Sequence, residues 1–266
     1  MPLALQTEDR YQIVMLNFIT HGKDKTQPPL LIAHGLYGSA RNWGVIAKRL
    51  SDERCVVAVD MRNHGNSAWT DTHSYEDMAA DLAEVISHFG GTADVLGHSM
   101  GGKASMVLSL QFPDCVNRLV IADISPVAYS HSQIQYIEAM RAVDLSRVMR
   151  RSEAETQLAE LGVDAALQSF FTQSLDLEGQ RWRLNLDTLA REMPKILSFP
   201  PVDGIFPRAA LFLSGAESDY VAPAYRAETK RLFPKARFAK IPDAGHWLHA
   251  EKPRPFEAAV RAFLSA

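Results

Sequence analysis

A chain of 266 residues, 47% apolar and 22% charged, has the composition of an ordinary globular protein, with room for one large domain and an insertion. Its net charge of −3 gives no electrostatic footprint for a nucleic acid or an anionic membrane surface. The two cysteines, Cys55 and Cys115, make neither a disulfide framework nor a zinc site, and they read as reduced thiols of a cytoplasmic protein.

The opening MPLALQTEDRYQ lacks a basic start and a long apolar core, so no signal peptide is expected. No apolar run has the length needed to span a bilayer. The first predicted strand is YQIVMLNFI, followed by the buried strands PPLLIAHG and CVVAVD. A helix follows in YEDMAADLAEVISHFGG, where Met78, Leu82, Val85, Ile86 and Phe89 share one face and Gly90 and Gly91 stop it. Further strands are predicted in ADVLGHS, RLVIADISP, RAALFLSG and RFAKIP. Near-continuous apolar strands alternating with helices predict an α/β fold: a mostly parallel sheet covered on both faces.

Between Pro126 and Pro207 the alternation stops. No strand is predicted there, and four helical pieces are: QIQYIEAMRAVDLSRVM, EAETQLAELG, VDAALQSFFTQSL and LNLDTLAREMPKIL. So long a segment is not a loop. The expected organisation is a core of residues 1–125 and 207–266 with a helical cap, 126–206, inserted over the carboxyl edge of the sheet. Arg147, Arg150 and Arg151 are followed at once by Glu153 and Glu155, the pattern of a solvated helix face.

The strongest local signal is the G-x-S-x-G run of Gly97, His98, Ser99, Met100 and Gly101, between a predicted strand and helix. A serine on so sharp a turn exposes its Oγ, and only glycines tolerate the crowding on either side. In LLIAHGLYGSARNW the chain turns at His34, Gly35 and Leu36. The N–H groups of Leu36 and Met100 are the expected oxyanion donors. His246, in IPDAGHWLHAEKP after the last strand, is the candidate base, because a loop lets it face the serine. His98 should point away from the serine, and His34 should be structural. His64 and His249 lie in weaker contexts, and His21, His73, His88 and His131 are expected at the surface.

The succession of HG turn, DMRNHGNS, GHSMGG, inserted helices, GAESDY and AGHWLHAEKP resembles the α/β-hydrolase superfamily over essentially the whole chain. RNHG and GHSMGGK most resemble its YbfF-like esterase branch. The resemblance implies a cofactor-free Ser-His-Asp hydrolase of carboxylic esters or acyl thioesters. No metal is expected, and the expected state is a monomer or small homo-oligomer. A serine at the elbow argues against haloalkane dehalogenases and epoxide hydrolases, which carry Asp there. C–C bond hydrolysis, cofactor-free perhydrolysis and a non-catalytic binding role remain alternatives on the same scaffold.

The position of the catalytic acid is open to two readings. The family pattern is a glycine ending a strand, the acid three residues on, and a valine three after that. Counted from Gly215 or back from Val221, that slot holds Ser218, with Glu217 expected in solvent. Asp123, closing the strand RLVIADISP beside that of Ser99, is the preferred acid, and Asp219, one position past the slot, is the alternative. Ser218 is then expected to hydrogen-bond the carboxylate or the imidazole. Tyr37, Trp43, Tyr129, Phe170, Phe171 and Trp247 are candidate substrate-pocket residues, each equally readable as plain core.

Overall fold

The computed structural model describes residues 13–23 and 26–266, so the expectation for the first twelve residues lies outside the described residues. The chain runs β1 (Phe18–His21), β2 (Leu30–Ala33), α1 (Gly44–Leu50), β3 (Val56–Val59), α2 (Tyr75–His88), β4 (Ala93–His98), α3 (Met100–Gln111) and β5 (Val116–Ala122). The inserted segment contributes α4 (Ile134–Ala142), α5 (Arg151–Glu160), α6 (Ala165–Thr172), β6 (Leu175–Asp176), β7 (Arg181–Trp182) and α7 (Leu186–Leu197). The fold then closes with β8 (Ala210–Gly215), α8 (Arg226–Leu232), β9 (Ala236–Ile241), α9 (Leu248–Glu251) and α10 (Pro253–Leu264).

The main sheet has seven strands in the order β1-β3-β2-β4-β5-β8-β9, parallel except for the β1–β3 pair. Helices cover both faces, which is why LLIA and VVAV are buried at every position. One face packs on α2 and α3 through Met78, Leu82, Ala104 and Leu108; the other packs on α1 and α10 through Ile46, Leu50, Phe256 and Val260. Full burial of each large apolar side chain contributes about 1.5–3 kcal/mol. Among the described residues no helix is long and apolar enough to cross a membrane.

Three sequence expectations need correction. The first strand begins only at Phe18: upstream, the Val14 and Asn17 amides donate to the side chains of Asp81 (2.8 Å) and Ser67 (2.8 Å) instead of to a ladder. The helix expected over 133–149 ends at Ala142, and a separate turn follows at Leu145–Arg147, where the Asp144 carboxylate accepts from the Ser146 amide (3.1 Å). The inserted segment also holds a small hairpin, β6–β7, whose turn is closed by the Gly179 amide on Asp176 (3.2 Å). Two residues per strand carry no readable alternation.

Candidate active site

Ser99 sits between β4 and α3 at φ 51° and ψ −119°, a conformation that costs a non-glycine residue about 1–3 kcal/mol. The glycines around it make that turn possible. A Cβ at Gly97 would lie 2.4 Å from the Gly101 carbonyl oxygen, and one at Gly101 would lie 2.4 Å from those of Ala33 and His34. The Lys103 amide donates to the Ser99 carbonyl (3.0 Å), so α3 starts at the serine and aims its N-terminus at it.

The register between β4 and β5 pairs His98 with Ala122. One residue further on, Ser99 and Asp123 stand side by side at the ends of adjacent strands, ~4.8 Å apart by ordinary strand spacing. Asp123 is fully buried, with φ 53°. Its Oδ1 accepts from the Gly215 amide (3.1 Å); its Oδ2 accepts from the Ser218 hydroxyl and from His246 Nδ1 (2.7 Å). These donors offset the desolvation of a buried carboxylate. With Nδ1–H given to Asp123, the lone pair of His246 Nε2 is left for a proton from the serine side.

His246 follows β9, so its loop must reach back across the end of β8 to meet Asp123 on β5. Gly215 allows this close approach: a Cβ there would lie 2.2 Å from the Gly245 oxygen. Asp219 and Glu217 are exposed, and neither hydrogen-bonds His246. The imidazole stacks on Tyr220 (centroids 4.2 Å apart), and His98 Nε2 donates to the His246 carbonyl (2.9 Å). Tyr220 was visible only as the end of GAESDY, with nothing in the sequence to mark it as a platform.

The turn at Leu36 is held by two buried histidines. His34 Nδ1 donates to the Gly35 carbonyl (2.7 Å), and its Nε2 accepts from the Met61 amide (2.9 Å). His64 Nδ1 donates to the Arg62 carbonyl (2.9 Å), and its Nε2 accepts from the Tyr37 amide (3.2 Å). Burial lowers the pKa of both, so both stay neutral and keep these roles. Tyr37, at φ 64°, thus spends its N–H on His64, while the Leu36 and Met100 N–H groups meet no acceptor among the described residues. His73 is a correction: expected at the surface, it is buried beneath His64 (5.5 Å) and contacts Met100 Sδ (3.3 Å). Burial pulls its pKa down to about 3.

Ser99, His246 and the Leu36 turn open on one cavity of about 310 Å³, between the carboxyl edge of the sheet and the inserted helices. The six candidate pocket residues all border it, in different ways. Phe170 and Trp247 are half-buried, 6.2 Å apart. Tyr37 packs edge-on to the fully buried Phe171 (5.4 Å) and donates from its hydroxyl to the Gln133 carbonyl (2.9 Å). Tyr129 donates to the Tyr220 carbonyl (2.7 Å). Trp43 is chiefly core, stacked flat on His249 (4.1 Å) and against Phe256. Tyr75, Lys103, Tyr136 and Ile196 also border the cavity and were missed from the sequence. Of these, only Lys103 carried a visible signal, as the last residue of GHSMGGK.

Residues 28–253 match the family described as alpha/beta hydrolase fold. The chain is 42% identical over 253 residues to the sn-1-specific diacylglycerol lipase ABHD11 of Mus musculus, spanning 91% of this chain and 82% of that protein. It is 36% identical over 242 residues to esterase YbfF of Escherichia coli (strain K12), spanning 89% and 93%. Among solved structures, a marine microorganism esterase superposes with a TM-score of 0.88 at 37% identity, over 94% of this chain and 99% of that one.

Proposed function

The chain belongs to the α/β-hydrolase family and is a carboxylic ester hydrolase, and we propose that it works through an acyl-serine intermediate on Ser99. His246 takes the serine proton as Oγ attacks the ester or thioester carbonyl, then returns it to the leaving group. Asp123 holds the imidazole in the tautomer that can do this and stabilises its charged form. Ser218 keeps the carboxylate in place. The Leu36 and Met100 N–H groups receive the developing oxyanion, each contributing ~3 kcal/mol to the transition state. A second cycle, with water as nucleophile, frees the serine.

The observation that carries this reading is the 2.7 Å contact of His246 Nδ1 with Asp123, in the register position beside the serine elbow. We further read residues 126–206 as a cap and the rest as the core. The bordering of the cavity by Phe170, Phe171, Ile196 and Leu197 from the inserted segment supports that division. The substrate is then a small ester or acyl thioester seated between cap and sheet. Fluorophosphonate labelling and p-nitrophenyl ester turnover test the mechanism. Wild type should label, and Ser99→Ala should lose both labelling and ~10⁶-fold in kcat. Retained labelling in that variant sinks the proposal.

A further inference from the structure

The cavity contains a charge that the hydrolytic steps do not use. Lys103 is the only lysine or arginine among the described residues that border it, and its side chain is almost fully buried. Nζ donates to the carbonyls of Leu197 (2.9 Å) and Ser198 (2.5 Å) at the end of α7. The Tyr129 and Tyr75 rings stand 4.8 and 5.7 Å from it. The hydroxyls of both rings are already committed, Tyr129 to the Tyr220 carbonyl and Tyr75 to the Ile196 carbonyl (2.6 Å). No carboxylate among the described residues forms an ion pair with Lys103. An ammonium has three donors, and two are accounted for. Only neutral dipoles and ring faces therefore answer a buried positive charge, and one of its donors has no protein acceptor. Burial lowers its pKa to about 7, as expected of a cation without a counter-ion.

The location gives this charge a use. Lys103 lies one turn beyond Ser99 on α3, with its amide on the Ser99 carbonyl (3.0 Å). Helical side chains lean toward the N-terminus, so this one lies over the turn that begins at the nucleophile. Ser99 and Lys103 stand one helical turn apart, ~5.4 Å along the axis, and both border the same cavity, so an acyl group on Ser99 and an anion at Nζ would share it. A single available donor between two rings suits a carboxylate, whereas a phosphate dianion requires several.

We propose that Lys103 selects acyl groups ending in a carboxylate, so that the preferred substrates are half-esters or half-thioesters of short dicarboxylic acids. The proposal rests on the acyl-serine reading of the cavity and adds the acyl group's far end to it. The ammonium meets that carboxylate while α7 and the two tyrosines exclude water around the pair.

The test compares monoethyl glutarate with ethyl pentanoate, a neutral ester of the same acyl length, with acid release followed by titration at constant pH. In wild type, kcat/KM should favour the half-ester at least tenfold. In Lys103→Met that ratio should fall at least tenfold, which a loss of folded protein alone does not produce, because both esters share one enzyme sample. Should Lys103→Met not fold, wild type supplies an independent reading: free glutarate should inhibit ethyl pentanoate hydrolysis at a tenfold lower concentration than free pentanoate does. Equal or better turnover of the neutral ester, with no advantage for glutarate, overturns the proposal and leaves the acyl-serine reading standing. A half-ester preference that survives Lys103→Met also overturns it. No turnover of either ester, together with no fluorophosphonate labelling, overturns both.

Discussion

The carboxyl edge of the sheet and the helical segment above it are held by different forces. At the edge, three non-glycine residues in positive-φ conformations, Tyr37, Ser99 and Asp123, are fixed by backbone and side-chain hydrogen bonds. The inserted segment buries Met140, Leu158, Phe171 and Leu189 in an apolar cluster that it shares with the sheet. Many hydrogen bonds also tie it to the core, among them the Asn185 amide on the Asn63 carbonyl (3.0 Å), the Gly65 amide on the Arg183 carbonyl (2.8 Å) and the Thr188 hydroxyl on the Thr70 carbonyl (3.0 Å), but they lie around its rim and not at the reacting atoms. Directional bonds place atoms to within tenths of an ångström, which acyl transfer requires. Packing sets a shape and tolerates its revision. Substitutions at the edge should therefore cost rate, and substitutions in the insertion should cost stability or selectivity.

The largest expected effect within the insertion belongs to Phe171, which is fully buried and packed against Tyr37 and Tyr136. Phe171→Ala should lower unfolding stability by about 3–5 kcal/mol, measured by denaturant titration. Phe170 is half-buried at the cavity wall, so Phe170→Ala should shift acyl-length preference with a much smaller loss of stability. If the two variants behave alike, packing and lining are not separated in this segment.

An intermediate effect is expected behind the edge, at His249. Its ring is buried, its Nδ1 has no hydrogen-bond partner, and burial lowers its pKa from 6.5 to about 3. A folded-state pKa below the unfolded one means that the unfolded chain binds more protons between those values. Stability is then present above pH 6.5 and is lost as pH falls toward 3. His249→Phe keeps the stack on Trp43 and removes this proton linkage. Between pH 7.5 and pH 5 the variant should lose about 2 kcal/mol less stability than wild type. Equal losses would show that His249 does not resist protonation in the fold.

The smallest effect is expected at Ser218, which contributes one hydroxyl donor to Asp123. Ser218→Ala should lower kcat several-fold, about 1 kcal/mol, with KM little changed. A loss as large as that of removing the carboxylate would place the serine among the proton-transfer groups.

The two regions also differed in how far they could be read in advance. The β-α alternation and the elbow glycines follow local rules, so the sheet and the turn at Ser99 were legible. The count across GAESDYV was informative because it tests spacing against a fixed strand end: it placed a hydroxyl where a carboxylate is usual, and in the structure that hydroxyl meets Asp123 from the neighbouring strand. His73, Tyr220 and the partners of Lys103 were not legible. Lys103 meets carbonyls more than ninety residues away, and His73, in the polar stretch DTHS, is buried against His64 and Met100. Such contacts depend on which chain segments fold over one another, and no periodicity records that.

The central claim is that the orienting carboxylate has moved from the end of β8 to the end of β5. The most direct test is kcat for ester hydrolysis by Asp123→Asn and Asp219→Asn, measured beside wild type. Asp123→Asn should fall ~10⁴-fold, because His246 loses both its tautomer and its charge partner, and Asp219→Asn should keep most of its activity. A severe loss in Asp219→Asn with substantial activity in Asp123→Asn would contradict the account.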